Sequence, residues 1–370
     1  MKRGLLVIFL LLLPLLGGCA AFGMSYARLE QLRVVQTLGL DEKENGVRLT
    51  LATAADEDGG GRCLSADGTT LSAALRRAQS RSTEETLFCG HVRQLVVGER
   101  SDLAPFLRYV GRSADLRLDT PLWLLRDCSA ETLLTGVGSN SRGVTEILAA
   151  LESELKQRGD SRSFTAGHIL QSLEQRGCAL VCLLDYTRAA ERGSDSPTQT
   201  AVLSGFAIVQ DGQVRSHLKA EELLGVNLLR NRLGVEQLSL RDMNGSPAVL
   251  EIRRGSSRLT PRWAEDGALR GLELTVKVEA ALLEGNSRAI DEDYLDDLAA
   301  KLEATISGQL RSLLRRAKLL RADYLELGPR VEAAAPLAFQ RLEAPFSELL
   351  PGLEISLTVQ GSIQHEYDME

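Results

Sequence analysis

The stretch Leu295–Leu320, LDDLAAKLEATISGQLRSLLRRAKLL, decides how the carboxyl-terminal part of the chain folds. Its apolar residues recur about every 3.6 positions, which is the period of an α-helix. Asp291 or Asp293 can cap the start of this helix, and Gly328-Pro329 must end whatever follows it. The pattern predicts one long helix with a single buried stripe, formed by Leu295, Leu298, Leu302, Ile306, Leu310, Leu313, Ala317 and Leu320.

Alternating apolar residues flank this helix in the sequence. Before it, every second residue from Leu272 to Val278 is apolar, and after it the same alternation runs from Leu353 to Val359. Residues on one face of a β-strand recur at every second position. A strand, one long helix and a returning strand make a compact α/β unit in which the helix covers the sheet.

Turn signals divide the rest of the chain into hairpins and helices. Leu32–Leu40 and Val47–Thr53 alternate like strands around a turn that ends in Asn45-Gly46, and Asp211-Gly212 separates two further apolar runs. Asn-Gly and Asp-Gly are strong signals for hairpin turns. We expect the short helix that carries Leu223–Leu229 to cover the second hairpin. Further helices are predicted at 70–79, 101–110, 130–134, 145–158 and 165–176, and further strands at 90–98, 116–125, 178–186, 235–240 and 248–253.

The amino terminus has the pattern of a lipoprotein leader. Lys2 and Arg3 precede the apolar run Leu5–Leu16, whose 12 residues are too few to cross a hydrocarbon core of about 30 Å as a helix. The run ends in Leu16-Gly17-Gly18-Cys19, a lipobox, in which small residues let the backbone enter a peptidase and the Cys19 thiol takes up the lipid. The alternative is an ordinary secreted protein with an incidental cysteine.

Composition and charge narrow the function classes. The chain has 370 residues, enough for two or three domains, and its 44% hydrophobic and 25% charged residues are typical of a globular protein. Its net charge is −7, and loss of Lys2 and Arg3 with the leader makes it more negative. Such a chain has no general attraction for nucleic acid or anionic headgroups, so we expect the lipid on Cys19 to attach the protein to the membrane. Two acyl chains suffice for stable anchoring, since each buried methylene contributes about 0.8 kcal/mol.

No catalytic, metal or cofactor motif stands out. The sequence has no Gly-x-Ser-x-Gly, His-Glu-x-x-His, phosphate-loop or dinucleotide pattern, so we predict no enzyme activity, no metal and no cofactor. Cys178 and Cys182 face one side of a predicted strand, and we interpret them as buried apolar residues rather than a bridge or metal site. His91 opens the strand 90–98 and is interpreted as a hydrogen-bonded structural histidine. The odd number of cysteines after Cys19 gives no disulfide framework: Cys63, Cys89, Cys128, Cys178 and Cys182.

Both ends of the long helix are charged, with signs that complement the helix dipole. Its first turns carry acidic residues, for which an exposed face is favoured over a cation site. Its carboxyl-terminal end carries five cations, which are either exposed complements of the dipole or a site for acidic partner loops or lipid headgroups. The acidic residues are Glu292, Asp293, Asp296 and Asp297, and the cations are Arg311, Arg315, Arg316, Lys318 and Arg321.

Taken together, these segments resemble the Ger(x)C family of spore germination lipoproteins, the C component of nutrient germinant receptors. The resemblance lies in the order and spacing of several segments behind a lipobox. Ala20 and Ala21 depart from it, because many members carry an aromatic residue directly after the lipidated cysteine. The segments that carry the resemblance are Ser25–Asp41, Gly90–Glu99, Ala114–Pro121, Gly205–Arg230 and Arg321–Gly328.

The resemblance implies an α+β protein of three mixed α/β domains, each a small sheet packed with helices. It further implies a non-enzymatic subunit on the outer face of the inner spore membrane, beside the integral membrane A and B subunits of a receptor for small nutrients. The expected organisation is a signal peptide at 1–18, a lipidated tether at 19–30, an N-terminal α/β domain at 31–195, a middle β-rich domain at 196–265, and a C-terminal domain at 266–370 with its long helix at 291–325.

The runner-up hypothesis is an extracytoplasmic solute-binding lipoprotein that captures a small ligand directly. Such a protein needs two similar lobes around a cleft with convergent polar groups. The sequence has no internal two-fold repeat, which favours the receptor subunit.

Overall fold

The structure, a computed structural model, describes residues 32–55, 61–82, 85–137, 143–159, 164–189, 198–285 and 291–364. The predicted leader, Cys19 and the tether at 19–30 lie outside these residues. The described chain forms two β-sheets with helices packed on them. The elements of the first part are β1 (Leu32–Lys43), β2 (Gly46–Ala55), β3 (Gly61–Gly68), α1 (Leu71–Arg81), β4 (Thr86–Phe88), β5 (Gln94–Gly98), α2 (Leu103–Arg112), β6 (Leu122–Leu125), α3 (Ala130–Val137), α4 (Val144–Arg158), α5 (Ala166–Arg176), β7 (Cys178–Ala189), β8 (Thr198–Gln210) and β9 (Gln213–Lys219).

The first sheet has a parallel centre and antiparallel sides. Its strand order is β3-β2-β1-β5-β6-β7-β8-β9, with β4 beside the start of β1, and β1, β5, β6 and β7 run parallel. Both predicted hairpins are confirmed, because β1 pairs with β2 and β8 with β9. Asp211 (φ 52°) and Gly212 (φ 82°) adopt the left-handed conformation that a two-residue hairpin turn needs.

Helices cover both faces of this sheet. Trp123 and Leu125 of β6 pack in the same core as α3 and α4, whereas Leu122 and Leu124 point to the other face, where α2 packs. The alternation of side chains along a strand explains this division. Cys178 and Cys182 are buried, carry free thiols and belong to one face, as predicted.

The second sheet belongs to the unit built around the stretch Leu295–Leu320, which forms the long helix between its last two strands. Its order is β10-β11-β12-β13, and β13 returns parallel to β12 after a long helix. The predicted strand–helix–strand unit and the mixed α/β class are therefore confirmed. The elements of this part are α6 (Leu223–Arg230), β10 (Glu236–Arg241), β11 (Pro247–Trp263), β12 (Leu269–Glu284), α7 (Glu292–Leu320), α8 (Leu327–Ala334), α9 (Pro336–Phe339), α10 (Phe346–Leu349) and β13 (Glu354–Gln364).

Helix α7 follows its sequence pattern closely. The Asp291 carboxylate caps it by accepting from the Tyr294 N–H at 2.9 Å. The predicted stripe is buried from Leu298 to Ala317 and half-buried at Leu295 and Leu320. The helix ends at Leu320 rather than near residue 325, because Arg321 takes a left-handed conformation (φ 51°) that breaks the helical path.

The strands expected for the middle domain, 196–265, are shared between the two sheets. β8 and β9 continue the first sheet, and β8 pairs with β7 from Thr198 to Gln210. β10 and β11 belong to the second sheet. The expected boundary at 195/196 lies outside the described residues.

Three local expectations are wrong. Helix α6 does not cover the β8–β9 hairpin but packs between α7 and β11, and all eight of its residues are buried, including Asn227 and Arg230. His91 is exposed and packs edge-on against Phe88, since the strand begins only at Gln94. The strand at 116–125 is confined to β6, which starts directly after Pro121.

Candidate functional site: a buried ion cluster between the sheets

The carboxylate of Glu326 lies where the helices of the two sheets meet. His168 Nε2 lies 3.2 Å from Glu326 Oε1, and Arg176 and Arg230 each place an Nη2 at 3.5 Å from the same oxygen. Arg232 Nη2 approaches the other oxygen at 3.1 Å. The Glu326 side chain is 10% exposed, so these charges interact in a poorly hydrated environment.

Local backbone features bring these side chains together. His168 and Arg176 lie on α5, whose end is set by the left-handed Gly177. Arg230 and Arg232 flank Asn231, which ends α6 in a left-handed conformation (φ 58°). The cluster thus joins a helix packed on the first sheet to two segments packed on the second.

The loop that carries Glu326 is itself held by buried groups. Asp323 is fully buried, and its carboxylate accepts from the N–H groups of Leu327 (2.8 Å) and Gly328 (2.7 Å) at the start of α8. Tyr324 donates its hydroxyl to the Leu313 carbonyl at 2.8 Å, and its own carbonyl accepts from Arg230. These bonds fix the loop against α7 and α6, so the position of the Glu326 carboxylate is predetermined.

Burial and neighbouring charges act in opposite directions on the two carboxyl groups. Burial raises the pKa of Asp323 to about 6, despite its two backbone donors. Burial also opposes ionisation of Glu326, but the hydrogen bond from His168 and the three guanidinium groups outweigh it and lower its pKa to about 2. Burial lowers the pKa of the Arg230 guanidinium.

Within the described residues, the cluster contains more cations than ionised carboxylates can balance. Arg176 Nε and Arg230 Nε are buried without a hydrogen-bond partner. Removal of the Glu326 charge would leave three arginines facing one another, so this carboxylate holds the cluster together. The Cys178 thiol lies beside the cluster, but it is buried, and burial raises its pKa to about 12. We therefore interpret the arrangement as an ionic clamp between the two halves.

The sequence pointed to part of this clamp. Two of the segments that carry the family resemblance, Gly205–Arg230 and Arg321–Gly328, form two of its walls. Sequence reasoning missed the third wall, because nothing in the pattern of α5 shows that His168 and Arg176 face a residue more than a hundred positions away.

Two other resemblance segments border an open groove of about 510 Å³ at the amino-terminal ends of β5 and β6. Gln94 lines the groove, accepting from Trp123 Nε1 at 2.7 Å and donating to Glu152 at 3.3 Å. On its rim, Arg117 and Asp119 form an exposed bidentate pair at 2.9 and 2.6 Å. The groove is polar, and β1 enters the sheet at the same end.

The charged ends of α7 are partly engaged within the chain. Arg316 donates to the His217 carbonyl, and Lys318 donates to the Leu353 carbonyl at 2.8 Å, so these two cations brace neighbouring elements. Arg311, Arg315 and Arg321 are exposed. At the acidic end Asp297 pairs with Lys301 at 2.7 Å, one turn away.

Fold and cluster define the class: a mixed α/β protein whose two sheet units are clamped by a buried carboxylate. Sequence comparison assigns residues 25–186 to the model of the "spore germination protein N-terminal domain" and residues 204–367 to that of "spore germination B3/GerAC like, C-terminal". The chain belongs to this GerAC-like family of spore germination proteins.

A solved structure has the same fold. The crystal structure of the GerBC protein superposes with a TM-score of 0.57 at 14% identity, and the match covers 88% of this chain and 96% of GerBC. A comparison with curated proteins by sequence found no match.

Proposed function

We propose that this protein is the lipid-anchored, non-enzymatic C subunit of a nutrient germinant receptor. It acts on the outer face of the inner spore membrane, beside the integral membrane A and B subunits. The observation that carries this proposal is the match of two consecutive germination-family models, in the family's order, to the two parts of the chain behind a lipobox.

The anchor in this proposal is lipid on Cys19, which lies 13 residues before the first described residue, Leu32. No helix in the described residues is long and apolar enough to span a membrane. Tethering raises the local concentration of the folded body near its membrane partners, so even a modest interface is occupied. The polar groove at the amino-terminal ends of the parallel strands lies at the end of the sheet where the chain enters, and we propose that this end faces the membrane subunits.

A cysteine substitution tests the anchor. We expect Cys19→Ser spores to lose the protein from the membrane fraction and to lose most of their response to nutrients. Cys63→Ser is the matched control, because Cys63 is a half-buried thiol within the folded body, and this variant should behave as wild type. A Cys19→Ser strain that germinates at the wild-type rate, or mass spectrometry that finds Cys19 unacylated, would contradict the proposal.

The structure weakens the runner-up, direct capture of a solute. The two sheet units differ in strand number and order, and the clamp fills their junction in the described chain. Calorimetry of the protein against mixed nutrients distinguishes the receptor-subunit hypothesis from the solute-binding hypothesis. Tight binding in the absence of other subunits is expected only of a solute-binding protein.

A further inference from the structure

The outer edge of the second sheet is an unusual feature of this fold. Strand β13 lies at the end of the order β10-β11-β12-β13, and among the described residues it pairs with β12 alone. Its 11 residues extend over about 36 Å. A long edge strand presents a row of backbone donors and acceptors that another strand can bind.

On the two edge strands of the first sheet, β3 and β9, side chains bind backbone groups more fully than they do on β13. On β3, Arg77 and Arg81 of α1 donate to the carbonyls of Asp67 (2.8 Å) and Ser65 (2.7 Å). On β9, Arg316 donates to the His217 carbonyl, and the Lys219 N–H donates to Glu222 Oε2 at 2.8 Å. Along β13, within the described chain, one backbone group is held by a side chain, the N–H of Gly361, which donates to Glu303 Oε1 at 2.8 Å.

The apolar face of β13 is also incompletely covered. Ile355, Leu357, Val359 and Ile363 point towards α7, yet each is only partly buried. Their neighbours on β12, from Leu272 to Ala280, are buried on the same face. Helix α7 therefore leaves an apolar margin along the edge, and a strand added beside β13 would cover it.

We propose that this edge binds the same edge of a second copy of the chain, in an antiparallel pair centred on Val359. The strand has one charged residue, Glu354, and no lysine, arginine or proline that would oppose such pairing. Full overlap of Glu354–Gln364 with its copy places Ser356 opposite Ser362, and Glu354 opposite Gln364. No like charges meet, and the partly buried apolar residues of the two copies lie side by side on one face.

Charges introduced at one pair of exposed positions, Ser356 and Ser362, test the proposal. In the Ser356→Lys/Ser362→Lys variant two lysine pairs face each other across the two-fold axis, whereas in Ser356→Lys/Ser362→Glu each lysine faces a glutamate. Both residues are exposed in the monomer, so both variants should fold. Sedimentation equilibrium of the full chain in density-matched detergent should show a wild-type dimer, a dissociation constant roughly ten-fold higher for the double lysine, and a restored dimer for the lysine–glutamate variant.

Disulfide trapping in intact membranes gives an independent readout. Two Val359 residues at the centre of an antiparallel pair have Cα atoms about 5.5 Å apart, within reach of a disulfide. Val359→Cys should therefore crosslink to itself on oxidation, and Lys277→Cys, on the exposed face of β12, should not. A wild-type chain that stays monomeric, or a double-lysine variant with unchanged association, would overturn the proposal. So would a monomeric wild type whose edge variants lose a different membrane protein on co-purification, because the edge would then belong to that partner.

Discussion

Replacement of Glu326 by glutamine is the most direct test of the clamp between the two sheets. The amide keeps the size of the side chain and its capacity to accept from His168, but it removes the negative charge that faces Arg176, Arg230 and Arg232. Removing one partner from a buried ion pair costs about 3–5 kcal/mol, because the remaining charge is left uncompensated. Since Arg230 is almost fully buried, we expect a loss of unfolding free energy in that range for Glu326→Gln.

Urea denaturation followed by circular dichroism measures this loss directly. Asp119→Asn is the matched control, because it makes the same carboxylate-to-amide change in an exposed bidentate pair, and it should leave the unfolding midpoint unchanged. If Glu326→Gln shifts the unfolding free energy by less than about 1 kcal/mol, the cluster is not a clamp and the reasoning from burial and charge is wrong.

The clamp should also be visible locally. Hydrogen exchange on Glu326→Gln should speed up in α5 and at the start of α8, the two segments that the carboxylate joins, before it speeds up in the buried strands β5 and β6. Uniform acceleration throughout the chain would instead indicate general destabilisation.

Three further outcomes are expected. Burial raises the pKa of Asp323 in the folded protein to about 6, above its ordinary value of 3.8. The protonated Asp323 side chain therefore contributes its full stabilisation below about pH 4, and this stabilisation is lost as the pH rises through 6. Asp323→Asn should remove this pH dependence of the unfolding free energy, as urea unfolding curves at several pH values would show. Burial raises the pKa of the Cys178 thiol to about 12 and that of Cys182 well above 9, so iodoacetamide at pH 8 should label both only after unfolding, as peptide mass spectrometry would show. Ile306→Ala, in the fully buried stripe of α7, should cost about 2–5 kcal/mol in thermal or urea unfolding.

The elements that the sequence predicts well are those with a strong local signal. The period of Leu298–Ala317 requires a helix, and the Asp211-Gly212 turn requires a hairpin whatever surrounds them. Helix α6 could not be placed in the same way, since its leucines and Val226 lie on several faces and do not indicate which neighbour the helix packs against. His91 was misplaced because the residues before Gln94 lack a strand pattern strong enough to fix where β5 begins.

The sequence indicated only part of the ion cluster, for a different reason. Arg230 and Glu326 lie in segments whose resemblance to the germination family is apparent, but their partner helix α5 comes from the other half of the chain. Periodicity and capping report the state of a local segment, whereas an ion cluster depends on tertiary contacts between segments. Such contacts are predictable only once the sheets and their crossovers are known.

The clamp should also constrain the sequence at the junction more strongly than the sequence of the surface. The chain shares 14% identity with GerBC yet matches nearly the whole of its structure. Most surface positions tolerate substitution within about 0.5 kcal/mol, whereas an uncompensated buried charge costs several times as much. A few buried charges therefore constrain the junction far more strongly than the surrounding surface. Two of the five segments that carry the family resemblance, Gly205–Arg230 and Arg321–Gly328, meet at this junction, although some ninety residues separate them in the chain.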